Sequence, residues 1–216
     1  MPSSFSYKIS TLLGLLSEPK VLKFIISQRN TGFLYEQGWF LSYKSGTSVD
    51  KNNNPIPWMT YSFIDFITER LNKELEIFEF GSGNSTIFFA GRVKKITAAE
   101  HNVKWYEEVK NKVPTNAEVK LITLENYQNS IDVTKQYDII IVDGEKRNDC
   151  VANSIKALTK RGIIILDDSE REEYKDGMKY LLDQGYKTIN FWGLAPGTFF
   201  NKCTSIFYKE GNCLGI

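Results

Sequence analysis

A chain of 216 residues is long enough to bury a two-sided core within one domain, without disulfide or metal staples. At 42% hydrophobic and 25% charged it lies near globular averages, which excludes disordered, collagen-like and coiled-coil readings. Lys and Arg number 27 against 26 Asp and Glu, so no basic footprint for nucleic acid is present and any binding rests on a local site.

Cys150, Cys203 and Cys213 show no Cys-x-x-Cys spacing and leave an odd one over, which argues against a disulfide framework or a cysteine-based zinc site. A single histidine, His101, argues against a Ser-His-Asp triad or a histidine-rich metal site. No apolar run approaches the ~20 residues of a membrane span. The apolar patch Ile9–Leu16 is followed by Glu18-Pro19-Lys20, not by a small-residue cleavage site, so no signal peptide is expected. The expectation is a soluble, reduced, cytoplasmic protein with neither membrane nor nucleic acid as partner.

In chain order, residues 1–57 predict two short helices broken at Pro19, then a long Ser/Asn/Gly/Pro-rich loop over 42–57. Together they read as a cap or lid on a main body spanning 58–216. A helix capped near Thr60 presents Phe63, Ile64, Phe66, Ile67 and Leu71 on one face. Five β-rich runs follow: Glu76–Phe80, Lys95–Ala99, Glu118–Leu124, Tyr137–Val142 and Gly162–Leu166. Helical spacing separates them, notably over Val103–Val113 and Asp149–Thr159. Near-continuous apolar strands alternating with helices predict an α/β, doubly wound, mostly parallel sheet. Tyr186–Trp192 and Thr204–Lys209 have no helix between them and predict an antiparallel C-terminal strand pair.

Acidic residues fall at the strand ends. Glu79 closes the first run, Glu100 and Glu125 follow the second and third, Asp143 the fourth, and Asp167 with Asp168 the fifth. In a parallel sheet these ends share the edge where ligands bind. Each alone reads first as a solvated terminus or a helix cap, and it is the succession of five that points to a site. An acidic rim suits hydroxyls, an ammonium, a sulfonium or a metal ion, and is wrong for a pyrophosphate. The first run leads into Gly81-Ser82-Gly83-Asn84-Ser85-Thr86, a glycine turn that opens a helix and admits close approach of a ligand. With Glu100 able to accept two ribose hydroxyls, the arrangement points to a nucleoside. A dinucleotide fingerprint would want glycine at position 86, so Thr86 counts against a nicotinamide-dependent oxidoreductase.

The segments EFGSGNST, AAEHN, YDIIIVDGE and GIIILDDSE resemble the ordered motifs of class I S-adenosylmethionine-dependent methyltransferases over roughly residues 58–209. The resemblance implies a Rossmann-like methyltransferase fold and S-adenosylmethionine as cofactor. Glu79, Gly81, Ser82, Gly83, Ser85 and Thr86 would frame the cofactor's methionine end, Glu100 its ribose, and Asp143 its amino group or the substrate. His101 would flank the adenine or stand as a plain exposed histidine; Asn126 and Tyr127 would line the same pocket. The family often carries a third glycine where this chain has Ser85. A second likeness, to metal-dependent O-methyltransferases of the catechol type, places Mg²⁺ or another divalent cation on Asp143, Asp167 and Asp168, with Lys146 as the base. Carboxylates beside Lys146 would raise its pKa and make it a poor base unless the metal neutralised them. Asp168 reads alternatively as a helix cap.

The chemistry implied is methyl transfer to a small-molecule or glycan acceptor, most simply on oxygen, with Asp143 and Lys146 as catalytic residues. Trp58, Trp192, Phe199 and Phe200 read either as acceptor-stacking rings or as packing. The alternative to an enzyme is a binding module that keeps the fold and methylates nothing.

Overall fold

Seven β-rich runs form one sheet in a computed structural model that describes residues 5–216. They are β1 (Glu76–Phe80), β2 (Lys95–Glu100), β3 (Ala117–Leu121), β4 (Tyr137–Val142), β5 (Leu158–Asp167), β6 (Lys187–Gly193) and β7 (Lys202–Tyr208). Their order is β3-β2-β1-β4-β5-β7-β6. β7 alone runs antiparallel, against both β5 and β6, as the helix-free tail predicts.

Period-two alternation assigns the strand residues to two cores. Ile77, Ile139, Ile141, Ile163 and Ile165 face one layer, with Phe63 and Ile67 of α5 (Tyr61–Thr68) and Phe88 and Phe89 of α6 (Asn84–Ala90). Phe78, Phe80, Ile140, Val142, Ile164 and Leu166 face the other, against Val151 of α8 (Arg147–Ser154) and Leu181 of α9 (Lys175–Asp183). At ~1.5–3 kcal/mol for each large apolar side chain fully buried, these layers hold the sheet edge rigid. The remaining helices are α1 (Phe5–Ser17), α2 (Pro19–Ser27), α3 (Phe33–Glu36), α4 (Trp39–Ser45) and α7 (Val103–Val109). Residues 1–4 of the expected cap, and the side chains of Ile9 and Leu12, lie outside the described residues.

Several boundaries differ from the sequence reading. The third strand stops at Leu121, not Leu124, because Leu124–Asn129 turns into a 3-10 segment that buries the Tyr127 ring. Glu125 is thereby left exposed rather than held at the strand edge. The helix after β4 begins at Arg147 and ends at Ser154, since Leu158 is already paired with Tyr137. Thr60 precedes α5 without a side-chain cap; its hydroxyl donates to the Phe191 carbonyl at 3.0 Å and its N–H to Thr204 Oγ1 at 3.2 Å. The expected long loop is shortened by α4. Its turn is held by Asp50 Oδ1, which accepts from the N–H groups of Asn52 and Asn54 at 2.8 Å each.

Candidate active site

β1 delivers Glu79 to the sheet edge with only 1% of its surface exposed. A buried carboxylate needs hydrogen bonds, and α6 supplies them. Thr86 Oγ1 donates to Glu79 Oε2 at 2.6 Å, and Ser85 Oγ donates to Glu79 Oε1. Thr86 Oγ1 in turn accepts the Gly83 N–H at 3.0 Å. Ser85 and Thr86, the two positions where related glycine signatures carry glycine, therefore serve Glu79 and fix the turn. Burial pushes the Glu79 carboxyl up to about 7; the two hydroxyls pull it down and the charge of Glu100 raises it.

Gly81 has φ +110°, and a Cβ there would lie 2.9 Å from the Asp143 carbonyl oxygen. That position requires glycine both for its backbone conformation and for the close crossing of the β1 and β4 ends. A Cβ on Gly144 would fall 1.9 Å from the Tyr127 hydroxyl, so the same crossing is tight from below. Tyr127 is fully buried there, its hydroxyl donating to the Ala99 carbonyl at 3.2 Å. It underpins the loop and does not line a pocket, contrary to the sequence expectation, and Asn126 is exposed.

At the end of β2, Glu100 Oε1 accepts the N–H groups of His101 and Asn102 at 2.9 and 2.8 Å. Its Oε2 accepts Ser82 Oγ at 2.8 Å. His101 is partly exposed, with Nδ1 3.4 Å from Glu100 Oε1. Asn102 caps α7 through the Trp105 N–H, and the indole N–H of Trp105 donates to the Ser82 carbonyl at 2.7 Å. Trp105 thus covers the glycine loop, a contact that nothing in the local sequence announces.

The second cluster lies beyond β4 and β5. Asp167, 1% exposed, accepts Thr204 Oγ1 at 2.6 Å and pairs with Lys202 Nζ at 2.5 Å. Lys202 Nζ also meets Asp168 Oδ1 at 2.8 Å and the Trp58 carbonyl at 2.9 Å. Arg147 reaches Asp143 Oδ1 at 3.1 Å and Asp168 Oδ2 at 3.3 Å, and Arg171 meets Asp168 Oδ2 at 2.7 Å. Asp168 adopts φ +54°, a left-handed conformation that costs an aspartate ~1–3 kcal/mol. Three cations converging on its carboxylate hold it there.

This arrangement corrects three expectations. Asp143, Asp167 and Asp168 do share one region, but their cation partners are Arg147, Lys202 and Arg171. Lys202 Nζ fills the space between Asp167 and Asp168, so the donor set does not fit a divalent cation. Among the described residues no group of three or more His, Cys, Asp or Glu is arranged to hold a metal ion. Asp168 does not cap a helix either. Lys146, the expected base, has φ +49° and turns outward to the Glu125 carbonyl at 3.2 Å and Gln128 Oε1 at 3.1 Å. The next residue, Arg147, enters the site instead. Burial, with the neighbouring Asp167 charge, raises the Asp143 carboxyl above the ordinary carboxylate range; Arg147 and Lys202 oppose the shift.

Two cavities flank Asp143. One, of about 180 Å³, lies between the Thr47–Ser48 segment, the Ser82–Ser85 turn and Trp105. The other, of about 360 Å³, is lined by Trp58, Asp168, Arg171, Thr198, Phe200 and Lys202. Asp143 and Trp58 line both. Asn84 Nδ2 donates to the Ser48 carbonyl at 2.7 Å, and the Trp39 indole N–H to the Thr198 carbonyl at 2.9 Å. The segment carrying Trp39 and Ser48 and the tail loop carrying Thr198 therefore close over the edge together. Of the four aromatic candidates, Trp58 and Phe200 face the larger cavity. Phe199 packs on Trp39 and Tyr43, and Trp192 lines neither cavity.

A sheet of order β3-β2-β1-β4-β5-β7-β6 with β7 reversed, a glycine turn after β1 and an acid closing β2 define the class I S-adenosylmethionine-dependent methyltransferase fold. No family model matches the chain, and no curated protein matches its sequence. Solved structures do match. A precorrin-6y C5,15-methyltransferase from Geobacter metallireducens GS-15 has TM-score 0.57 and 15% identity over 78% of this chain and 96% of that one. A precorrin 8W decarboxylase of Methanobacterium thermoautotrophicum has TM-score 0.52 and 18% identity over 68% and 88%. An rRNA methylase from Streptococcus thermophilus has TM-score 0.51 and 18% identity over 67% and 92%. Identities this low establish the fold alone.

Proposed function

We propose that this chain is an S-adenosylmethionine-dependent methyltransferase acting on an oxygen of a small-molecule or glycan acceptor. The observation that carries the reading is that Asp143 and Trp58 line both cavities, so a donor in one and an acceptor in the other would meet at one carboxylate. The glycine turn fits the cofactor: Gly83 adopts φ +157°, a backbone conformation that side chains disfavour, and a Cβ there would stand against the Trp105 ring at 3.4 Å, in the space beside the turn. Ser82 Oγ makes to Glu100 the bond that a ribose hydroxyl would make. The smaller cavity suits an amino-acid-sized moiety, since whole drug-sized ligands occupy ~300–1,000 Å³. Glu79, Gly81, Ser82, Gly83, Ser85 and Thr86 would hold that end, with Glu100 and His101 at the nucleoside. A buried acid under the start of α6 disfavours the pyrophosphate of a nicotinamide cofactor.

The cofactor, when bound, supplies a methyl group already activated on a sulfonium. The protein's task is then to align the acceptor, exclude water and take one proton. Asp143 is the base in this reading, and Trp58 and Phe200 provide stacking walls for the acceptor ring. Arg147 and Lys202 fix the carboxylates around it without a metal ion.

The test is calorimetric titration with S-adenosylmethionine and its demethylated product, with and without Mg²⁺. Both ligands are expected to bind, with affinity indifferent to Mg²⁺; absence of binding would leave only a non-catalytic fold. Glu100→Gln keeps an oxygen for the His101 and Asn102 N–H groups but replaces the acceptor facing Ser82. It should weaken cofactor binding by ~1.5–3 kcal/mol. Unchanged affinity would place the ribose elsewhere.

Affinity should also depend on pH through Glu79. Below about 7 its carboxyl is protonated, and a bound cation must expel that proton. Above about 7 no proton need leave, so affinity rises through this value and then levels off. Titrations in buffers of differing ionisation enthalpy would show proton release on the acid side; a flat profile would sink this assignment.

A further inference from the structure

We infer that α1 and α2 form a docking surface for an anionic lipid bilayer, lying on the membrane without crossing it. Among the described residues no helix is long and apolar enough to span a membrane, and a pair of helices that lies in the interface escapes any search for spans.

The first observation is exposure. Leu13 and Leu16 of α1, and Val21, Phe24, Ile25 and Ile26 of α2, are between 41% and 63% exposed, and α2 has no buried residue at all. Scattered apolar side chains on a surface need no explanation, whereas a contiguous set on one element does. Successive residues on a helix are 100° apart. Around α2, Lys20, Lys23 and Ser27 therefore occupy one narrow sector, and Val21, Leu22, Phe24, Ile25 and Ile26 fill the rest. Lysines beside a broad apolar face are the pattern of a helix that lies in the headgroup layer, its apolar side chains in the acyl boundary and its lysines at the phosphates.

The second observation is charge. Residues 1–45 hold five basic side chains (Lys8, Lys20, Lys23, Arg29, Lys44) against Glu18 and Glu36, although the whole chain is balanced at 27 against 26. Two of these cations, Lys20 and Lys23, lie on α2 itself with its exposed apolar side chains. A second copy of this chain is a poorer occupant, because Lys20 and Lys23 lie opposite the centre of the apolar face and a two-fold contact through that face would leave them without counter-charges. An anionic surface pairs with the same groups.

The third observation is continuity with the site. The apolar face of α2 borders a groove of about 590 Å³, lined by Phe24, Ile26, Trp39, Phe40, Thr198 and Phe199. Thr198 also lines the larger cavity at Asp143, and Phe200 adjoins Phe199 there. A bilayer under α1 and α2 would thus lie beside the mouth of that cavity. Docking itself does not depend on methyl transfer.

The test is flotation of the full chain with phosphatidylcholine vesicles, with and without phosphatidylglycerol. The chain should float with the anionic vesicles, weakly with the neutral ones, and less as salt rises. Lys20→Glu with Lys23→Glu should lower the bound fraction on anionic vesicles roughly tenfold or more. Phe24→Asp with Ile25→Asp should abolish it, while the melting temperature stays near wild type because all four side chains are exposed. Failure of the wild type to float with anionic vesicles overturns the inference. So does binding that both variants retain, or a dimer in light scattering that Phe24→Asp with Ile25→Asp dissolves.

Discussion

Replacing Asp143 by Asn is expected to lower kcat by roughly 100-fold or more, within the range for loss of a general base, while cofactor affinity changes little. Asp143 follows β4, keeps 22% of its side chain exposed and lies where the two cavities meet. Arg147 holds one carboxylate oxygen at 3.1 Å, which orients the other for a proton from the acceptor. Burial and the Asp167 charge raise this carboxyl, and only its ionised form can act as a base. The ascending limb of the pH–kcat profile should therefore lie above the ordinary carboxylate range, nearer neutrality. Asn keeps the size and the contact to Arg147 but removes the titrating group, so that limb should vanish along with the rate. A variant that retains both kcat and the limb would move the base to another residue.

How far the sequence displayed these features depends on the range over which each is decided. The strands were legible because alternating Ile and Phe at β1, β4 and β5 is a local pattern with period two. Gly81 and Glu100 were legible because a strand end, a turn and the next strand end are close in the chain. Lys146 was misplaced because one backbone angle decides it. At φ +49° the chain rotates Lys146 outward and sends Arg147 in, and neighbouring basic residues offer no sign of which will enter. Lys202 was invisible for a topological reason. It meets Asp167 only because β7 turns back antiparallel beside β5, pairing Thr204 with Asp167. Pairs of acids thereby read as a metal site until the strand carrying their lysine is placed. Ser85 and Thr86 were departures from glycine in the sequence; buried Glu79 supplies their reason.

Lys202→Met should be the most destabilising single change at this edge, at ~3–5 kcal/mol near neutral pH, the cost of breaking a buried ion pair from one side. For a chain of this length that is a fall in Tm of roughly 6–20 °C. Lys202 is itself buried, and methionine nearly matches its stem, so the loss comes from charge and not from a cavity. Without the ammonium, Asp167 keeps only the Thr204 hydroxyl, and its carboxyl, already raised by burial, rises further. A folded-state pKa above the unfolded one gives stability that is full below the unfolded value and is lost as pH climbs through the folded value. The gap between variant and wild type should therefore be small in mild acid and widen toward neutrality. Lys202→Met combined with Asp167→Asn removes both charges and should recover most of the loss, because a neutral side chain can share the Thr204 hydroxyl. The double variant should still turn over slowly. Nothing then ties the Trp58 carbonyl to the end of β5, and one wall of the acceptor cavity loses its anchor. Equal melting of Lys202→Met and wild type at neutral pH, or no recovery in the double variant, would show that Lys202 is not the counter-charge on which Asp167 depends.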